Sequence, residues 1–352
     1  MPTMRALTVT PKVPNSVQLE EFNVPSSELG AVLVRAVALG ICGTDHEIVQ
    51  GDYGQAPPGH QRLIIGHESL GRVEDAPAAS GLSKGDLVVG IVRHPDPVPC
   101  ANCAVGEWDM CRTDQYTEHG IKALDGYGSE FYRLSPEYVV RLDPRLGILG
   151  VLVEPTTIVA KAWEHTERIG ERARWTPRRV LVTGAGPVGL LAALLGAQRG
   201  LEIHVLDRAT DGPKPALVHD LGGTYHASFD DVGHDYDIVM ECTGAASVIV
   251  EAVQRTAADG ITCLAGVSHS AQETIDIGEL NREIVLGNRV IFGSVNANRR
   301  HYQAAIDALA KADAAWLHRV VARRVPLDRW REAFEVRDDD VKTVVVFSPD
   351  VS

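Results

Sequence analysis

The sequence has little cysteine and no excess of positive charge. Its 352 residues include only six cysteines, irregularly spaced, so a dense disulfide framework is excluded and we expect reduced thiols and thiolate chemistry. Lys and Arg number 34 against 47 Asp and Glu, a formal net charge of −13. Such a charge repels phosphate backbones and anionic lipids, which argues against nucleic-acid and membrane-surface partners.

A hydrophobic leader is also missing from the first residues. Met1–Arg5 contain no apolar core and run directly into the strand-like Ala6–Val9, which predicts a cytoplasmic protein. The one long apolar stretch, residues 180–197, is interrupted by several glycines and a proline. A buried strand followed by a buried helix explains it better than a membrane span.

The length corresponds to about two domains, and the pattern changes between them. Residues 1 to about 150 show the short strands and turns of an all-β domain. The predicted strands are Ala6–Val9, Val17–Glu21, Val32–Val37, Leu63–Ile65, Leu87–Ile91 and Tyr138–Leu142.

From about residue 178 strands and helices alternate, which predicts a parallel, doubly wound sheet. The predicted strands are Val180–Thr183, Ile203–Leu206, Ile238–Cys242, Ile261–Ala265 and Val290–Gly293, and the helices are Val188–Arg199, Lys214–Leu221 and Val248–Ala257.

The remaining tail is too short to fold alone, so we expect it to rejoin the N-terminal domain. Its predicted elements are a helix at His301–Lys311, a strand at Val320–Arg323, a helix at Trp330–Val336 and a strand at Lys342–Phe347.

A glycine-rich turn between a strand and a helix predicts a dinucleotide site. In this pattern Gly184 makes the tight turn, Gly186 admits a pyrophosphate and Gly189 lets the helix approach the strand. Asp207 follows the next strand, 18 positions after Gly189, which is typical of a carboxylate that binds the ribose of NAD. The neighbouring Arg208 leaves room for the 2′-phosphate of NADP.

Four residues in turn-rich segments could together bind a metal. Cys42, the pair His67 and Glu68, and Glu154 supply a thiolate, an imidazole and carboxylates, a mixed set that suits zinc with one open position. Spacing alone leaves two alternatives open, because a single cysteine is often a small buried hydrophobe and a His-Glu pair is often surface chemistry.

A second cluster has the spacing Cys100-x2-Cys103-x7-Cys111. Three thiolates at this spacing indicate a structural zinc. The alternatives are a metal-free lobe with reduced thiols and a redox CxxC motif; no thioredoxin-like βαβ pattern supports the second.

Together these segments resemble the zinc-dependent medium-chain dehydrogenases, and among them the glucose (aldose) 1-dehydrogenase branch, over essentially the whole chain. The resemblance implies an α/β protein in which a GroES-like β-rich catalytic domain is interrupted by a Rossmann doubly wound parallel-sheet domain. The expected boundaries are 1–156 and 297–352 for the catalytic domain and 157–296 for the Rossmann domain. The motifs that carry the resemblance are Gly40–Asp45, Gly66–Glu68, the lobe at 100–111, Gly184–Gly189 and Gly293–Asn296.

The resemblance also implies roles for the metal-site residues. Cys42 and His67 would bind the catalytic zinc, Glu68 would be a direct or indirect ligand, and Glu154 would approach the metal directly or through water. Thr44 would accept the substrate proton; it could equally cap a helix.

In the lobe, the family's first zinc cysteine would fall at position 97, where this chain has Pro97. The nearest replacement is Asp96, which would complete a structural site with Cys100, Cys103 and Cys111.

For cofactor and substrate the resemblance adds further positions. Glu118 and Asn296 would hydrogen-bond sugar hydroxyls, while Ile158 stands where the family has an Asp, so one polar contact is missing. The implied cofactor-binding residues are Gly184, Gly186, Pro187, Val188, Gly189, Asp207, Arg208, Thr243 and Asn296.

The favoured hypothesis is therefore a zinc-dependent sugar 1-dehydrogenase that prefers NAD, accepts NADP and forms a homodimer or homotetramer. The same-class alternative is a dehydrogenase of polyols, cyclitols or secondary alcohols. Cys42, His67 and Glu68 argue against a zinc-free quinone or enoyl reductase, and the complete ligand set argues against a non-catalytic nucleotide-binding protein.

Overall fold

The computed structural model describes residues 2–268, 272–337 and 340–348, which divide into two compact units. The first unit contains 1–154, 296–310 and 321–352, and the second contains 155–295 and 311–320. Residues 311–320, expected in the catalytic domain, cluster instead with the second unit. The indole Nε1 of Trp316 donates to the carbonyl of Leu217 at 2.8 Å there.

Short strands make up most of the first unit, whereas strands and helices alternate in the second. The strands are β1 (Thr3–Val9), β2 (Gln18–Asn23), β3 (Val32–Ile41), β4 (Leu63–Ile64), β5 (Glu68–Asp75), β6 (Leu87–Gly90), β7 (Arg93–His94), β8 (Thr117–His119), β9 (Ala123–Leu124), β10 (Phe131–Leu134), β11 (Val139–Arg141), β12 (Arg179–Thr183), β13 (Glu202–Leu206), β14 (Thr224–His226), β15 (Tyr236–Glu241), β16 (Thr256–Leu264), β17 (Val290–Gly293), β18 (Arg323–Pro326) and β19 (Thr343–Val346). The α-helices are α1 (Gly43–Gln50), α2 (Val153–Gly170), α3 (Pro187–Gln198), α4 (Pro213–Asp220), α5 (Ala246–Gln254), α6 (Ile277–Leu286), α7 (Arg299–Lys311) and α8 (Ala314–Val320).

The first unit is built around β3, an apolar strand that lies in the middle of its largest sheet. This sheet has the order β11-β6-β5-β3-β19-β18, with β10 also paired to β3. In the antiparallel registers Gly40 lies opposite Glu68 of β5 and opposite Val344 of β19. One end of β3 therefore brings together the beginning of β5, the beginning of β19 and the start of α1.

The second unit contains a parallel sheet, since each strand is followed by a crossover helix or loop. Over the residues described in this unit, the strand order is β14-β13-β12-β15-β16-β17. The order reverses between β12 and β15, so the carboxyl ends of these two strands flank the crevice in which such sheets bind dinucleotides.

Two of the four predicted elements of the tail differ from the structure. The segment predicted as a strand at Val320–Arg323 contains the end of α8, and the strand is β18, three residues later. The predicted helix at Trp330–Val336 is a 3₁₀ segment, Leu327–Phe334. The first error arose because a run of four residues is too short to distinguish a helical from a strand period. In the second, the position of a helical segment was right and its type was not.

Within the residues that the structure describes, one helical segment is long and apolar enough to cross a membrane. It is Pro144–Gly170, and 89% of its most apolar window is buried inside the protein. This burial is that of a core helix, so the segment gives no support to a membrane span.

Candidate active site

Cys42 lies where β3 ends and α1 begins, as the residue that caps the helix. Its backbone N–H donates to Oδ2 of Asp45 at 2.9 Å. The cap holds the thiol at a fixed position above the first turn of α1. Thr44, considered as a possible cap, is instead the second residue of the helix and is partly buried.

His67, in the turn before β5, faces Cys42. Its Nε2 lies 3.1 Å from the Sγ of Cys42, and its Nδ1 lies 3.5 Å from Oδ1 of the fully buried Asp45. A carboxylate beside the far ring nitrogen orients an imidazole so that its other nitrogen can bind a metal. Asp45 thus positions both predicted ligands.

Glu68 forms a buried ion pair with Lys342, the residue that precedes β19. Nζ of Lys342 lies 2.6 and 2.7 Å from the two carboxylate oxygens and also donates to the carbonyl of Ile41 at 3.1 Å. Both side chains are at most 2% exposed. Gly40 makes room for this pair, because an added Cβ would collide with Oε2 of Glu68.

Glu154 lies in the first turn of α2 and is buried. The segment was expected to be a turn, but Pro155 is compatible with the beginning of a helix, where the missing N–H has no partner in the helix. A carboxylate oxygen of Glu154 lies within 4.8 Å of ligand atoms of both His67 and Glu68.

The residues present fit a zinc ion. In a tetrahedral site sulfur and nitrogen ligands lie about 3.5 Å apart, close to the observed Cys42–His67 separation. Burial raises the pKa of the Cys42 thiol and raises the pKa of Glu154 to about 7. A cation at this place would favour the charged forms of both groups. Because Glu68 is neutralised by Lys342, Glu154 is the carboxylate better placed to act as a ligand.

Asp96 and the three cysteines of the lobe come together, the cysteines as their spacing predicted and Asp96 as the resemblance implied. Their ligand atoms all lie within 4.8 Å of one another, and the Cys111 thiol donates to Oδ1 of Asp96 at 2.8 Å. Backbone N–H groups of Cys103 and Arg112 lower the pKa of Cys100 to about 7, whereas burial raises the pKa of Cys103 to about 11. Three thiols and one carboxylate form a complete tetrahedral ligand set, so the site suits a structural zinc.

Replacing Cys103 with alanine is expected to lower the zinc content by about one ion per chain and to lower the melting temperature. The turnover of the protein that stays folded should change less, because a structural metal contributes folding free energy rather than substrate polarisation. Metal analysis and thermal unfolding of Cys103→Ala and Asp96→Asn test this. A native protein without zinc in the lobe would refute the assignment.

The glycine-rich turn has the geometry that its sequence predicts. Gly184 has a φ of 91°, and an added Cβ on Gly189 would collide with the Gly184 carbonyl. Around Gly186, which caps α3, a Cβ would meet nothing within 4 Å. The backbone there is open to a pyrophosphate at the N-terminus of α3, where Pro187 and Val188 begin the helix.

Asp207 is held at the end of β13 by four hydrogen bonds. Its carboxylate accepts from the backbone N–H of Ala185 at 2.7 Å and of Ala209 at 3.0 Å, and from Nζ of Lys214 at 3.2 and 3.3 Å. Arg208 is exposed beside it. The contact between Lys214 and Asp207 was not predicted from the sequence. The two residues are seven positions apart, and Lys214 lies in the first turn of α4.

Thr243, which the resemblance assigned to the cofactor, lies in the loop after β15. Its backbone N–H donates to Oε1 of the fully buried Glu241 at 2.7 Å, and its hydroxyl donates to the same oxygen. The hydroxyl proton is therefore engaged within the loop.

The two predicted sugar-binding residues touch each other. Nδ2 of Asn296 donates to Oε1 of Glu118 at 2.7 Å, and Glu118 is 5% exposed. This contact joins positions 178 residues apart in the chain.

Comparisons with known proteins agree with the predicted fold class and family. A family model described as glucose dehydrogenase C-terminus matches residues 147–347, and one for the alcohol dehydrogenase GroES-like domain matches 28–144. The chain is 38% identical over 349 residues to Glucose 1-dehydrogenase 2 of Vulcanisaeta moutnovskia, with 97% of this chain and 99% of the relative covered. The Glucose 1-dehydrogenase of Thermoproteus tenax is also 38% identical over 349 residues, with the same coverage.

A solved structure is similar over the same range. It is the Haloferax mediterranei glucose dehydrogenase in complex with NADP, Zn and gluconolactone, with a TM-score of 0.91, 32% identity, and 98% of this chain and 99% of that chain covered. The predicted fold class, a GroES-like domain with a Rossmann sheet, is confirmed.

Proposed function

The chain belongs to the glucose dehydrogenase family of zinc-dependent alcohol dehydrogenases, and from this premise we propose that it oxidises the anomeric C–OH of a cyclic aldose to a lactone. NAD or NADP accepts the hydride. The observation that carries the proposal is buried His67, which has a ring nitrogen near the Cys42 thiol and a ligand atom within 4.8 Å of the Glu68 and Glu154 carboxylates, in the same unit as the Glu118–Asn296 pair.

In the proposed reaction each of these residues has a separate role. Zinc held by Cys42, His67 and Glu154 would supply Lewis acidity that lowers the pKa of the anomeric hydroxyl. Thr44 would accept the proton from this hydroxyl and pass it to solvent. A bound nicotinamide would accept a hydride from the anomeric carbon, so that one aldose and one NAD(P)⁺ would yield a lactone, NAD(P)H and a proton. Glu118 and Asn296 would bind the sugar hydroxyls.

A substrate panel tests the proposal. The purified protein is offered aldoses, polyols, cyclitols and secondary alcohols with NAD and with NADP, and the zinc content of the same sample is measured. We expect aldose oxidation with formation of a lactone. A protein that oxidises polyols or secondary alcohols but no aldose would contradict the proposal.

We expect the enzyme to prefer NAD over NADP, and we expect Lys214 to make this preference smaller. The Asp207 carboxylate would accept hydrogen bonds from the ribose hydroxyls, and its charge would oppose a 2′-phosphate. Alone, this carboxylate at a wet rim would give about ten- to hundredfold discrimination. Because the Nζ of Lys214 lies 3.2 Å from this carboxylate, we expect the discrimination against NADP to be nearer about tenfold than hundredfold.

Two substitutions separate these effects. Asp207→Asn should improve kcat/KM for NADP with little change for NAD, and Lys214→Gln should weaken NADP selectively. Direct binding of NADH and NADPH, followed by fluorescence, provides a second readout, and the exposed Lys311→Gln serves as control. A wild-type enzyme that favours NADP would overturn the argument from Asp207.

We also propose that the protein is a homo-oligomer. β17 is an edge strand of the six-stranded sheet, and such an edge offers unpaired backbone groups to another chain. Helix α6 leaves apolar side chains exposed, with Ile277 at 68%, Val285 at 62% and Leu286 at 71%. Light scattering after size exclusion should give a dimer or tetramer, and a concentration-independent monomer would contradict this.

A further inference from the structure

Arg93 forms an ion pair with Glu118 between two short strands. The residues face each other in the antiparallel pair β7 and β8. Nε and one terminal nitrogen of the guanidinium lie 3.0 and 2.9 Å from the same carboxylate oxygen, Oε1. Both side chains are 6% exposed. Arg93 also lies over the ring of Tyr116, with Cζ 3.7 Å from the centroid, so the guanidinium is held on two sides.

Asn296 adds a third donor to this oxygen. Its Nδ2 lies 2.7 Å from Oε1 of Glu118, while its own Oδ1 accepts from the backbone N–H of Ala297 at 2.7 Å. The residue has a φ of 60°, a left-handed conformation that asparagine tolerates better than most residues. The amide is therefore fixed at both ends.

Within the described part of the chain, one acceptor on Glu118 and one donor on Asn296 remain without a hydrogen-bond partner in this arrangement. Three N–H donors converge on Oε1 of Glu118, and among the described residues none donates to Oε2. Asn296 retains one of its two Nδ2 hydrogens. One acceptor and one donor thus remain on adjacent side chains. A single hydroxyl can satisfy both, since it donates its proton to one group and accepts a hydrogen bond from the other.

We infer that Arg93 is a positioning residue that makes Glu118 and Asn296 recognise one and the same hydroxyl of the substrate. The inference rests on the proposed function, because it takes this pair to be the sugar-binding groups. It specifies the substrate class: cyclic aldoses that share this hydroxyl and its configuration. With the charge of Glu118 balanced by Arg93, the pair selects for a neutral hydroxyl rather than for a cationic group.

The test uses an accepted aldose together with its monodeoxy analogues. A site built to bind a hydroxyl rejects the analogue that lacks it, because buried polar groups then lose their partner. For the wild-type enzyme we expect one analogue to lose about a hundredfold or more in kcat/KM and the others to lose much less.

Arg93→Lys should raise KM for the parent aldose about tenfold and leave kcat within about twofold, because a lysine keeps the charge but not the pair of guanidinium hydrogen bonds that converge on Oε1 of Glu118. The discrimination against the critical analogue should fall to about tenfold. Asn296→Ala, a second variant that leaves the ion pair in place, should reduce the same discrimination. Arg5→Lys is the matched control, since Arg5 also binds one oxygen of a glutamate, Glu130, through Nε and a terminal nitrogen.

Two results would overturn the inference. One is a wild-type enzyme that tolerates every monodeoxy analogue. The other is an equal loss for all substrates in Arg93→Lys and Asn296→Ala, which would give these residues a structural role only. If the protein oxidises polyols but no aldose, the proposed function fails, and the same comparison made with deoxypolyols decides the role of Arg93.

Discussion

Replacing Cys42 with alanine is expected to remove nearly all activity together with the zinc of this site. The substitution takes away the anionic ligand, whose sulfur lies 3.1 Å from Nε2 of His67. The remaining imidazole and carboxylate are too few to hold zinc in a catalytic geometry. We expect kcat/KM to fall by about a thousandfold or more, the scale on which a main electrostatic stabiliser of a transition state contributes. His67→Ala should behave in the same way.

Cofactor binding shows whether these variants are folded. The glycine-rich turn lies in the second unit, so Cys42→Ala should bind NADH as the wild type does while its zinc content falls. Cys263→Ala removes a buried thiol of that second unit and should keep both zinc and activity. A Cys42→Ala protein that retains its zinc and most of its turnover would show that the metal lies elsewhere.

The dinucleotide turn could be predicted from sequence because its requirements are local. Gly184 needs a positive φ, Gly189 needs the absence of a Cβ, and both lie within six residues between a strand and a helix. Short apolar strands flanked by turn residues could be predicted for the same reason. The predicted strand Val290–Gly293, for example, has the observed bounds. In the metal sites, cysteine and histidine identified ligand candidates because few other residue types bind zinc.

The partners of these residues could not be predicted, because they come from distant parts of the chain. Lys342 lies 274 residues from Glu68 and appears in the sequence as an ordinary lysine beside an apolar strand. The helix that carries Glu154 was not predicted, because the segment around Pro155 was interpreted as a turn. Asp45 was not predicted as a partner either, although an acidic residue three positions after a helix cap is a local signal that could have identified it.

Replacing Lys342 with methionine is expected to destabilise the protein strongly. Its Nζ lies within 2.7 Å of both oxygens of Glu68, and methionine would fill the space without a charge. A buried carboxylate left without its cation costs about 3–5 kcal/mol of unfolding free energy. The uncompensated charge beside His67 should also change the zinc affinity.

A double mutant distinguishes the effect of the unpaired buried charge from the effect of altered packing. In Lys342→Met with Glu68→Gln the buried charges are both gone, so much of the lost stability should return, and a double-mutant cycle measures the coupling by denaturant unfolding. The exposed pair of Lys84 and Glu74 is the matched control, and Lys84→Met should change stability by no more than about 1 kcal/mol. If Lys342→Met is as mild as Lys84→Met, the ion pair does not hold this end of β3 together. If the double mutant recovers stability but not turnover, Glu68 and Lys342 serve the chemistry of the site as well as its fold.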